Sequence, residues 1–69
     1  MMMEVVLIEP LGHAWLVTFE RDGWQVTARL MDRPSLRHKE MVEVFFHMQN
    51  AYWFDANTGL SLAKGRLTG

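Results

Sequence analysis

Asp22-Gly23 lies between two stretches in which apolar residues recur at every second position, and this constrains the fold more than any other feature of the chain. Before it, Trp15, Val17 and Phe19 alternate with Leu16, Thr18 and Glu20. After it, Trp24, Val26, Ala28 and Leu30 alternate with Gln25, Thr27 and Arg29. Period 2 is the side-chain period of a strand, and Asp-Gly supplies the two positive φ angles of a type I′ turn. With Asp22 and Gly23 as the loop, Arg21 faces Trp24, Phe19 faces Val26, Val17 faces Ala28 and Trp15 faces Leu30. The other face pairs Glu20 with Gln25, Thr18 with Thr27 and Leu16 with Arg29. A three-residue loop would set Phe19 against Gln25 and mix the faces, which one-sided burial penalises. A β-hairpin over residues 14–31 follows.

Upstream, Val5-Val6-Leu7-Ile8 is an unbroken apolar run closed by Pro10-Leu11-Gly12, the pattern of a strand covered on both faces. Downstream, Asp32-Arg33-Pro34-Ser35 reads as a helix start, with Pro in the first turn and Asp32 or Ser35 as the cap. On a helical wheel Met41, Phe45, Met48 and Tyr52 share one stripe, with Val42 and Val44 on its flanks and Glu40, Glu43, His47 and Asn50 opposite. Phe46 falls on the polar side of this helix. Tyr52-Trp53-Phe54 has strand composition, residues 55–59 carry a turn signal, and Leu60-Ser61-Leu62 alternates. A last strand at 52–55 paired with 60–64 is expected, the alternative being that the helix runs on through this stretch. The expected fold is therefore α+β: a small antiparallel sheet with one amphipathic helix packed on one face, in the order β-β-β-α-β with room for a fifth strand. One domain is expected over residues 1–69, with 1–3 and 65–69 frayed.

Composition narrows the function classes. A 69-residue chain is near the lower limit for a core without staples, and with no Cys it has neither disulfides nor thiolate–metal sites. The net charge of −1 gives no overall basic footprint for nucleic acid. No run approaches the roughly 20 apolar residues of a membrane span, and the first residues lack the basic segment of a secretion signal. A cytoplasmic protein is expected, bacterial or, if phage-encoded, in the host cytoplasm, with no membrane partner. Hydrophobic residues make up 49% of the chain before its five Gly are counted, whereas soluble domains carry roughly 45–50% with Gly included. So small a domain must turn part of that excess outward, and exposed apolar patches mark association surfaces.

Two features point to a surface. Arg33, Arg37, His38 and Lys39 crowd the expected helix N-terminus, where the backbone is already positive and carboxylates are favoured. Free N–H groups and guanidinium groups there would form an anion site. The plainer alternative is a solvated turn neutralised by Asp32, Glu40 or Glu43. Phe46 on the polar face and Trp24 beside the hairpin turn are candidate aromatic anchors, and aromatic and Arg residues dominate interface hot spots. Arg29 lies on the open back of the sheet with Leu16, Thr18 and Thr27. Glu43 and His47 are one helical turn apart but lack further ligands, so no metal and no cofactor are expected. Ser35 and Ser61 have no nucleophile-elbow glycines, and the Asp residues occupy turns and caps. A non-enzymatic protein-binding module is expected, an accessory subunit or an inhibitor of the kind phages and mobile elements encode. It would act on another protein or on a second copy. The alternative is a nucleic-acid-binding domain using the basic helix N-terminus, joined by Arg29, Lys64 and Arg66.

Overall fold

The computed structural model describes residues 1–54 and 62–68, and every regular element among them is a strand: β1 (Met2–Leu11), β2 (Ala14–Arg21), β3 (Trp24–Leu30), β4 (Met41–His47), β5 (Asn50–Phe54) and β6 (Leu62–Leu67). They close into an antiparallel barrel in the order β1-β2-β3-β6-β5-β4, with β4 pairing back onto β1. Three strands joined by tight hairpins, followed by a fourth that returns beside the first, form a Greek key. Among the described residues closure gives every strand two neighbours, although β1 meets β4 only over Met2–Glu4 and β3 meets β6 only at Ala28 and Arg29. No helix among the described residues is long and apolar enough to cross a membrane.

The hairpin has the register its apolar pattern dictates, from Arg21 opposite Trp24 to Trp15 opposite Leu30. Asp22 and Gly23 take φ of 51° and 82°, the type I′ geometry. Gly23→Ala should therefore cost about 1–2 kcal/mol, since a Cβ is disfavoured in the left-handed region. Urea unfolding measures this, and an unchanged midpoint would contradict the turn assignment.

The α+β expectation is overturned, because the segment read as a helix is a second hairpin. Val42, Val44 and Phe46 point into the barrel, while Met41, Glu43, Phe45 and His47 point out. Val44 faces Trp53 and Phe46 faces Ala51 across a two-residue turn at Met48 and Gln49. The supposed core stripe thus lies on the outside, with Met41, Phe45 and Met48 all exposed. The residues are strand formers, and burying Val42, Val44, Ala51 and Trp53 outweighs the weaker helical period. Residues 31–40, the expected helix start, are a non-helical connection from β3 to β4. Pro34 and Leu36 within it are buried.

The expected last hairpin exists with shifted bounds, Ala51 facing Gly65 and Phe54 facing Leu62. Its turn signal at 55–59, with Leu60 and Ser61, lies outside the described residues. Met2, Met3 and residues 65–67, expected to fray, belong to β1 and β6, and Met3 is fully buried.

The interior is filled by side chains. Phe19 and Trp53 meet at 5.1 Å between ring centroids, surrounded by Met3, Val5, Val17, Val44 and Leu36. The wall facing these bulky groups is built from Ala28, Ala51, Ala63 and Gly65, the mixing of large and small residues that a narrow barrel requires. In β1 a bulge at Val6 resets the alternation, so that Val5 and Ile8 both turn inward and Leu7 outward.

Candidate functional site

With a filled interior, the chemistry of this protein lies on its outer wall. Cross-strand register sorts the outward residues of β3, β6, β5 and β4 into rows. One row runs Arg29, Arg66, Asn50, His47. The next runs Lys64, Tyr52, Phe45, and the third pairs Leu62 with Phe54. Phe45 packs edge-on against Phe54 with centroids 6.1 Å apart. Phe45, Phe54, Leu62 and Met41 are 45–55% exposed, so this face carries several large apolar side chains, with Glu43 between Phe45 and Met41 on β4.

Charge is segregated around the barrel. Glu4, Glu9 and Glu20 lie on β1 and β2, whereas β3, β5 and β6 contain no carboxylate and carry Arg29, Lys64 and Arg66. Arg66 donates from Nη2 to Gln49 Oε1 at 2.9 Å. Glu43 pairs with the Met1 amine at 2.5 Å, and Arg21 with Asp22 at 3.6 Å.

The residues singled out from sequence are separated. Without a helix, the electrostatic reason for an anion site at Arg33, Arg37, His38 and Lys39 disappears. Arg33 lies over the Trp15 ring, 5.8 Å from its centroid. Residues 37–40 form a tight turn in which Glu40 N–H donates to the Arg37 carbonyl, and Glu40 Oε1 accepts the Arg37 N–H at 2.9 Å. Lys39 sits in it at φ 73°, and its N–H donates to the Val5 carbonyl. The turn thus docks the connection onto β1. Phe46 is not an outward anchor: it is half-buried on the inner side, with Trp24 packed on it at 5.8 Å. Trp24 is half-exposed and covers that end of the core. The back of the expected sheet is barrel exterior, where the Thr18 and Thr27 hydroxyls are bonded at 2.9 Å.

A cleft of about 420 Å³ lies between the connection and β5–β6, lined by residues including Leu30, Arg33, Pro34, Trp53, Ala63 and Lys64. Among the described residues its lining contains one carboxylate, Asp32, and no histidine. No group of three or more potential metal ligands occurs among the described residues. The sequence reading grouped Arg29, Lys64 and Arg66 with the basic cluster at 33–39 and missed Tyr52; the β3–β6 pairing sets Arg29 beside Arg66, and the β5–β6 pairing sets Tyr52 opposite Lys64. Compared with protein families, curated proteins and solved structures, the chain matches none.

Proposed function

We propose that this protein is a non-enzymatic protein-binding module that docks through the outer wall of β4, β5 and β6. One observation supports the reading above others: Met41, Phe45, Phe54 and Leu62 gather large apolar surface on the outside of a barrel whose core is already filled. Leaving such surface in water is unfavourable by roughly 25 cal/mol per Å², which association recovers. The partner is another protein chain, a second copy included, and the role is that of an accessory subunit or inhibitor. A cytoplasmic setting belongs to the same reading, supported by the absence of Cys.

The test uses Phe54→Asp with Leu62→Asp against Gln25→Asp on the far side of the wall. Light scattering reads self-association, and affinity purification from the native cells reads a stoichiometric partner. The double variant should lose the assembly formed by the wild type, and the control should keep it. Assembly unaffected by the double variant, or none formed by the wild type, would overturn the proposal.

A further inference from the structure

We infer that the strip formed by Arg29, Arg66 and Lys64 binds the phosphates of a single-stranded nucleic acid, with a base stacked on Tyr52. Arg29 and Arg66 face each other directly across β3 and β6. Like charges in that relation are destabilising, and their cross-strand neighbours, Leu16 on β2 and Asn50 on β5, offer no carboxylate to relieve them. A bound anion would. Lys64 lies two residues along β6 on the same outer face, and Tyr52 stands opposite it on β5. Cations lining a path beside an aromatic ring form the arrangement that holds single strands, where phosphates give affinity and every base has a face to stack. In strand order, β6 sits across the barrel from β1, which carries Glu4 and Glu9. The near-neutral total charge therefore conceals a basic side, and phosphate attraction needs only that side. Among the described residues the outer wall offers no helix to enter a duplex groove, so the unpaired strand is the favoured form. The strip shares the outer wall of β5 and β6 with the protein-docking reading but uses none of Met41, Phe45, Phe54 and Leu62, so the variants that test the two are distinct.

The probe is a fluorescein-labelled 12-nucleotide oligo-dT, followed by anisotropy. Three neutralised phosphates give a log–log salt slope of about −2, or roughly a 20-fold loss of affinity between 50 and 200 mM salt. Arg29→Ala with Arg66→Ala should flatten the slope to about −0.7. Tyr52→Ala should weaken binding by about 5-fold or more with the slope unchanged, and Tyr52→Phe should restore it. Arg37→Ala should leave binding intact, and circular dichroism should show each variant folded. Absence of oligo-dT binding at 50 mM salt would overturn the inference. So would equal binding of a 12-base-pair duplex, competition by poly-glutamate at equal charge, or loss on Arg37→Ala rather than at the arginine pair.

Discussion

Trp53→Ala should lower the unfolding midpoint by at least about 12 °C and can abolish the cooperative transition. Trp53 is the largest fully buried side chain, lies against Phe19, and comes from β5, which pairs with both β4 and β6. Truncating a buried Trp to Ala costs about 3–5 kcal/mol through lost transfer energy and the cavity left behind. A domain of this size holds roughly 3–10 kcal/mol in total. The cavity cannot collapse easily, because the walls around it are hydrogen-bonded strands closed into a ring. Far-ultraviolet circular dichroism with heating reads the transition, and Trp15 and Trp24 remain as fluorescence probes. Trp53→Phe should retain much of the ring contact and lose less. A midpoint within about 4 °C of wild type for Trp53→Ala would mean that Trp53 does not anchor the core.

The hairpin around Asp22-Gly23 was legible because turn and alternation agree: one dipeptide supplies both left-handed residues, and period 2 holds on both sides. The β4–β5 hairpin carries neither signal. Its turn places Met48 at φ 59°, a conformation that no Gly or Asn announces. The turn also shifts the phase, so that inward residues fall at 42, 44 and 46, then at 51 and 53. Across such a break a helical period fits Met41, Phe45, Met48 and Tyr52 better than a single strand period, and the segment imitates an amphipathic helix. In β1 the bulge at Val6 shifts the phase and the outward Leu7 is itself apolar and exposed, so the strand reads as a continuous run covered on both faces when it is not. Closure rests on the β1–β4 and β3–β6 pairings between distant parts of the chain, which no local pattern encodes. The candidate site inherits that limit. Arg29 could be placed on an outward face from its own strand, but Arg66 and Lys64 became its neighbours only when the barrel closed. The basic cluster at 33–39 stood out against a helix dipole that does not exist here.

Gly65→Val should be the most disruptive change outside the aromatic core, and the geometry around Gly65 says which second change relieves it. A Cβ on Gly65 would lie 2.8 Å from the Ala28 Cβ, 3.1 Å from Trp53 Cη2 and 3.3 Å from the Arg29 carbonyl oxygen. None of these is a loose side-chain end: one is the first atom of a strand residue, one belongs to the buried indole, and one is backbone. Relief requires β3 and β6 to separate where only Ala28–Leu67 and Arg29–Arg66 define their register. Overpacking of this kind costs about 1–3 kcal/mol for a single added group, so Gly65→Ala should show that loss in urea unfolding and Gly65→Val a larger one. Ala28→Gly removes the nearest obstacle. Alone it should destabilise, by opening space and loosening a strand. Combined with Gly65→Ala it should recover about 1 kcal/mol relative to the sum of the two single changes, since residues in direct contact couple on that scale. Rescue stays partial because the Trp53 and Arg29 contacts persist. Strict additivity would show that β3 and β6 do not close as described, and with them would go the pairing of Arg29 with Arg66 on which the anion strip depends.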